Sequence, residues 1–199
     1  MLTALVAMDA EVVVRSGSKS QIDLSAGTHE RPGLALSGVV YKGKQERRIL
    51  CREVTSERRP GELIIEVMVP RPALSSGTSL MRVSRTAADV ALLNAAALVE
   101  IEGKVYRKVR LAMGGASMDP VRLYRVEQLL EGQPVMNPLN SQKLLTTLQE
   151  GMSTFRPPAD VRASSSYRRV SGMGLAYRAL EEAMNVASWR GMVSSERGS

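Results

Sequence analysis

The apolar residues of this chain fall into two patterns, with a change near residue 72. In the first part they form short β-branched runs separated by polar, glycine-bearing stretches. Leu2 to Val14 predicts a short helical or irregular start leading into a strand over Ala10-Glu11-Val12-Val13-Val14, whose branched side chains suit a buried strand. Glu62 to Val69 (ELIIEVMV) predicts a second strand, preceded by the turn-forming Arg59-Pro60-Gly61 and ended by Pro70 and Pro72. Between them the glycines at 17, 27, 33, 38 and 43 imply loops, with a short strand near Ile49.

After Pro70-Arg71-Pro72 the runs lengthen. Asp89 to Ile101 is helical by propensity, but Gly103 and the following Val105 to Met113 run favour two strands joined at Glu102-Gly103-Lys104. Gly114-Gly115 ends the second strand. Three helices are then expected. The first runs Val121 to Leu130 and is closed by Gly132. The second is capped by Asn140 or Ser141 and runs to about Gly151, with Leu144, Leu145 and Leu148 on one face. The third starts near Ser164 and extends toward Val186, with Gly172 and Gly174 as points where it could bend. Strands followed by helices imply an α+β fold, an antiparallel sheet with three helices packed on one face. The expected division is 1–72, 73–188 and a flexible tail, 189–199.

Composition narrows the function classes. Apolar residues at 44% and charged residues at 24% describe an ordinary folded chain. No apolar run approaches a membrane span and the start lacks a signal-peptide pattern, so the expected location is cytoplasmic. The single cysteine, Cys51, excludes an internal disulfide, and no Cys/His grouping has zinc or iron–sulfur spacing, so any metal is expected on another chain. The formal charge of +7 raises nucleic acid as a partner. However, the basic residues are scattered in pairs and aromatics are few, which favours an acidic partner or a solvated surface instead. His29 stands alone in a polar stretch with no nucleophile or second histidine to work with. Cys51 reads as a small strand-like residue, and the methionines as core filler.

Three segments occur in an order and spacing that together carry a resemblance. They are Arg82-Val83-Ser84-Arg85 with Asp89 and Asn94-Ala95-Ala96; Leu111-Ala112-Met113-Gly114-Gly115-Ala116 with Pro120-Val121-Arg122 and Glu127; and Asp160-Val161-Arg162-Ala163-Ser164 with Tyr167-Arg168-Arg169. Over about Leu74 to Met184 the chain resembles the C-terminal domain of the FAD (medium) subunit of molybdenum hydroxylases, the carbon monoxide dehydrogenase and xanthine dehydrogenase family. Leu5 to Val14 and Arg59 to Ile64 are similar to the last third of that family's FAD-binding domain, so residues 1–72 look like a partial α/β FAD-binding domain. The family's two glycine-rich loops, whose backbone N–H groups hold the flavin pyrophosphate, have no counterpart here. Gly114-Gly115 lacks the GxGxxG pattern and reads as a tight turn.

The resemblance implies a subunit that takes electrons from iron–sulfur clusters of a neighbouring chain and passes them through FAD to NAD or another acceptor, while a molybdenum chain performs the hydroxylation. The implied partners are the molybdenum-cofactor subunit, the iron–sulfur subunit and the missing FAD-binding half, with no catalysis expected from this chain alone. The alternative is a non-catalytic docking module derived from such a flavoprotein. Two positions carry over as cofactor-binding residues. Ile64 falls where the family contacts the flavin, and is otherwise a buried strand residue. Arg82 falls near the family's lysine beside the flavin, where a cation stabilises the reduced, anionic ring, and is otherwise a solvated strand-end arginine. Leu80 stands where the family has Tyr or Phe, and Arg82 replaces Lys, both departures from the pattern. Arg85, Arg122 and Arg168 either meet a partner chain's carboxylates or pair internally with Asp89, Glu127 and Asp160. Without a partner, the strands at Val12 to Val14 and Leu63 to Val69 are expected to expose apolar surface and promote aggregation.

Overall fold

The computed structural model describes residues 1–16, 45–86, 88–117, 119–135, 141–153 and 155–196. The expected loops at the glycines from 17 to 43, Asn140 as a cap, and His29 all lie outside these residues. Helix α1 (Leu2–Ala7) leads into β1 (Glu11–Ser16), the middle strand of a three-stranded antiparallel sheet between β2 (Gln45–Leu50) and β3 (Glu62–Met68). A 3-10 turn (Cys51–Glu53) and the short α2 (Val54–Glu57) connect β2 to β3. The second sheet is a four-stranded antiparallel meander of β4 (Ser76–Val83), β5 (Leu93–Glu102), β6 (Val105–Gly114) and β7 (Val121–Arg122). Helices α3 (Tyr124–Leu130), α4 (Ser141–Gly151) and α5 (Ser165–Glu196) follow.

The two-residue period of β5 and β6 determines how the layers stack. Ala95, Ala97 and Val99 of β5 point with Leu111 and Met113 of β6 into one core, closed by Val126 of α3, Leu144 and Leu148 of α4, and Leu175, Leu180 and Met184 of α5. The intervening Ala96 and Ala112 face the other way, into a second core with Val6 and Ala7 of α1, Val12 and Val14 of β1, and Ile49 of β2. Covered on both faces, β5 is apolar along most of its length, which explains why its sequence could be mistaken for a helix. Helix α1 is the filling between the two sheets.

The expected α+β architecture, with three helices on one face of an antiparallel sheet, is what the structure has. Gly103 turns the β5–β6 hairpin at φ +61°, a conformation glycine adopts without strain. Two boundaries differ. Val121 and Arg122 are strand, paired with Met113 and Ala112, so the helix begins only at Tyr124; the ladder bonds to β6 outweigh the helical pattern. Helix α5 continues to Glu196, past the predicted end near Val186, because its last turns are held to β4: Ala187 is buried and Arg190 donates a 2.8 Å hydrogen bond to the Ser76 carbonyl. The same clamp explains Gly77, where an added Cβ would run into the Ala183 carbonyl of α5. Neither Gly172 nor Gly174 interrupts the helix, and Gly172 packs against Met113 and Phe155. Among the described residues no helix is long and apolar enough to cross a membrane.

Candidate functional site

Sheet order sets the position of the two predicted site residues. β2 leads into α2, where the Thr55 hydroxyl donates to Asp119 beside β7 at 2.5 Å. β3 and β4 therefore form the opposite margins of their sheets, on the other side of α1. Ile64 lies on β3 and Arg82 on β4. The side chain of Ile64 is 47% exposed, so it is not the buried strand residue its neighbours suggested. Arg82 is exposed near the end of β4.

Register shows which neighbours share their faces. A bulge at Ile65 sets Ile64 opposite Val14 and Val67 opposite Val12, so Ile64 and Val67 extend the face that α1 covers on β1. Across the other sheet, Leu80 is opposite Ala96, and Arg82 is opposite Asn94, which is opposite Gly114. These residues extend the face that α1 covers on β5 and β6. Ile64 and Val67 on β3 and Leu80 on β4 are all left exposed, on the sides of their two sheets that face α1, and Arg82 shares the side of β4 that carries Leu80. Of the two strands predicted to expose apolar surface, only β3 does. Val12, Val13 and Val14 are buried, whereas Leu63, Ile64, Ile65, Val67 and Val69 are exposed along an edge strand.

A second polar group, Asn94, lies opposite Arg82 on β5. Asn94 Oδ1 is buried and accepts no hydrogen bond, and buried acceptors without a partner are rare. A Cβ on Gly114 would collide with that oxygen and with Thr3 Oγ1, so the glycine keeps the α1 N-terminus, Asn94 and β6 in close approach. Asn94 has no local sequence signal of its own; its cross-strand pairing with Arg82 is what marks it. An apolar rim, one cation and one open acceptor suit a planar heterocycle with an N–H donor and a partial negative charge. No described residue forms a glycine-rich phosphate cradle. These residues fit the ring of FAD and not its pyrophosphate.

An ion-pair network ties the end of α1 to β6, β7 and α3. Asp9, at the end of α1 with φ +53°, receives Arg122 Nη1 at 2.6 Å on Oδ1, and Arg110 Nε at 3.0 Å and Lys108 Nζ at 3.2 Å on Oδ2. Burial alone would raise the Asp9 pKa, but the hydrogen bonds and charges of Arg110 and Arg122 outweigh it and bring the carboxyl down to about 2. Arg122 forks onto Glu127 with two bonds of 2.6 Å, and Glu127 also accepts the Leu111 N–H at 2.9 Å. Burial opposes the Arg122 charge, yet Glu127 and Asp9 together raise its pKa above the usual arginine value. The tyrosine ring of Tyr124 lies 5.1 Å from the Arg122 guanidinium carbon.

The three arginines with two alternative roles all pair internally. Arg85 meets Asp89 at 3.5 Å, Arg122 meets Glu127, and Arg168 meets Asp160 at 2.7 Å. Arg168 is buried and also donates to the carbonyls of Leu92 and Gly115, which ties α5 to the turns flanking β5 and β6. It holds Asp160 below the usual carboxylate range, helped by the Ala163 and Arg162 N–H groups. Gly114 is the last residue of β6 rather than part of a turn, and the chain bends at Gly115, which has φ +78° and lies under the Leu92 carbonyl. Cys51 is buried, and desolvation with the nearby Glu11 charge pushes its thiol pKa up, away from reactivity. Among the described residues no group of three or more His, Cys, Asp or Glu side chains could hold a metal ion.

Residues 79–183 match the family described as CO dehydrogenase flavoprotein C-terminal domain, a flavoprotein family for which FAD is the implied cofactor. The chain is 31% identical over 130 residues to the glyceraldehyde dehydrogenase medium chain of Sulfolobus acidocaldarius, covering 64% of this chain and 44% of the relative. It is 29% identical over 182 residues to the 6-hydroxypseudooxynicotine dehydrogenase complex subunit alpha of Paenarthrobacter nicotinovorans, covering 86% and 59%. In fold it is similar to a chain of carbon monoxide dehydrogenase from Hydrogenophaga pseudoflava, with a TM-score of 0.70 at 16% identity over 93% of this chain and 56% of that one. The chain spans about half the length of the curated relatives it matches.

Proposed function

Because the chain belongs to the CO dehydrogenase flavoprotein C-terminal domain family, we propose that it forms the ring-facing side of the FAD site in the medium subunit of a molybdenum hydroxylase. In this reading residues 1–72 complete the FAD-binding domain with a segment that carries the phosphate-binding loops. FAD, when bound, supplies the redox chemistry and relays electrons from the iron–sulfur subunit to NAD or another acceptor. The molybdenum-cofactor and iron–sulfur subunits are the partners.

The observation that carries the reading is the exposure of Ile64 and Val67 on one sheet and of Leu80 and Arg82 on the other, with the unpartnered Asn94 Oδ1 across from Arg82. Ile64 and Leu80 supply apolar contact and exclude water. Arg82 contributes a permanent positive charge that offsets negative charge on the ring. Asn94 accepts a hydrogen bond. A second reading, a non-catalytic docking module, draws support from the exposed edge strand β3.

Ligand-observed NMR on the full chain with FAD and with riboflavin, which lacks the phosphates, separates the readings. Equal, weak binding of both, reduced by Arg82→Ala and by Leu80→Asp, is expected. No binding of either flavin, or binding unaffected by both substitutions, would leave only the docking module. FAD binding far tighter than riboflavin binding would place a phosphate site on this chain and overturn the division of labour.

A further inference from the structure

The segment joining the two sheets and the end of α5 enclose a cleft of about 510 Å³, lined by Arg71, Pro72, Leu74, Ser76, Trp189 and Arg190 among others. All of its lining residues fall outside residues 79–183, the part that matches the family. It opens beside Ser76 at the start of β4, whereas Arg82 is at the other end of that strand, roughly 20 Å away at the usual rise per residue. The cleft is therefore separate from the flavin-facing margin, and its reading does not depend on that one.

The lining is one-sided in charge. Among the described residues it contains two arginines and no carboxylate. Arg71 is exposed and makes no ion pair among the described residues. Arg190 is anchored by its Nη1 bond to the Ser76 carbonyl, which fixes its charge at the cleft wall. Ser76 itself is fully buried, and its Oγ has no hydrogen-bond partner. The remaining lining is apolar, from Pro72, Ala73, Leu74 and Val193, with the indole of Trp189 held 61% exposed. A solvent-facing indole beside guanidinium groups favours a ligand with a flat apolar body and a negative charge: the body stacks and desolvates while the anion pairs with the fork-shaped donors. The volume lies within the range of small-molecule sites and admits a mononucleotide-sized guest.

We propose that this cleft binds a planar aromatic anion, an aromatic carboxylate or a nucleotide phosphate, with Trp189 as the stacking platform and Arg71 and Arg190 as the charge partners. Trp189 is the only tryptophan in the chain, so intrinsic fluorescence reads the site directly. The full chain is titrated with sodium benzoate, with AMP and with neutral benzamide. Saturable quenching by benzoate or AMP is expected, with the tighter of the two identifying the anion's source and benzamide about tenfold weaker. Arg71→Gln, at an exposed position where folding is undisturbed, should weaken the anion about tenfold with an unchanged melting temperature. Quenching that rises linearly without saturation, an equal response to benzamide, or no effect of Arg71→Gln would overturn the proposal.

Discussion

Asp9→Asn tests whether the ion-pair network ties the α1 layer to the second sheet. Asparagine tolerates the positive φ at this position, so the substitution removes charge while leaving backbone strain nearly constant. The folded-state carboxyl titrates near 2 against an ordinary value of 3.8, because Arg110 and Arg122 favour its ionised form. A depressed pKa contributes stability that is complete above the unfolded value and is lost as pH falls through the folded one. Linkage gives about 2.4 kcal/mol at pH 7 and about 1.3 kcal/mol at pH 3, where the unfolded chain is already mostly protonated but the folded carboxyl is still charged. The variant should therefore lose about 2 kcal/mol at pH 7 and roughly half of that at pH 3. Urea unfolding followed by circular dichroism measures both, with a midpoint shift of about 1 M at neutral pH for a slope near 2 kcal/mol per molar. A loss that is the same at both pH values, or one below about 0.5 kcal/mol at pH 7, would show that the network is a solvated surface cluster rather than a structural tie.

Two further outcomes probe the packing. Gly77→Ala should cost about 3 kcal/mol in a thermal melt, since its Cβ would meet the backbone of Ala183 and Ala187, whereas Gly174→Ala, with open space around it in α5, should be neutral or stabilise by up to about 1 kcal/mol. Cys51 should remain unreactive toward a thiol reagent in the folded chain and react with the unfolding transition; reaction at the rate of a free thiol in native buffer would show that its burial is not maintained.

The fold was legible where two local signals agreed. Gly103 between two apolar runs specified the β5–β6 hairpin, and Ser164 marked the start of α5, its Oγ accepting the Tyr167 N–H at 3.2 Å. It was not legible where a tertiary partner decided. Val121-Arg122 has no local reason to be strand and becomes one only by pairing with β6. The length of α5 past Val186 depends on β4 receiving Ala187 and Arg190, a contact between residues more than a hundred positions apart that no window of sequence contains. The three internal arginine pairs were nameable because each carboxylate lay close in sequence: Asp89, Glu127 and Asp160 are four, five and eight positions from their partners. Asp9, more than a hundred positions from Arg122, was not, although it completes the network. Asn94 was hidden for the same reason, since its significance comes from the strands on either side of it.

The strand β3 carries the clearest functional signal because it breaks the rule that predicted it. Leu63-Ile64-Ile65 and Val67 have the composition of a strand buried on both faces, and β1, with the similar run Val12-Val13-Val14, is so buried. Yet β3 lies at an edge and leaves these side chains in water, at a cost of roughly 25 cal/mol for each Å² of apolar surface. Edge strands are ordinarily protected by charge, proline or a bulge, and here the bulge at Ile65 and Glu66 supply only partial protection. A sequence that keeps such a run at an edge is selected for something that covers it. On the other sheet, the side that faces α1 carries Leu80, Arg82 and an unsatisfied Asn94 acceptor, so a cover that reaches both sheets must be apolar, able to donate a hydrogen bond and compatible with a positive charge. Water meets none of the first requirement and a hydrocarbon none of the other two. A flavin ring seated with the rest of its binding domain would meet all three, which is the ground for proposing the redox reading ahead of a chain that merely docks.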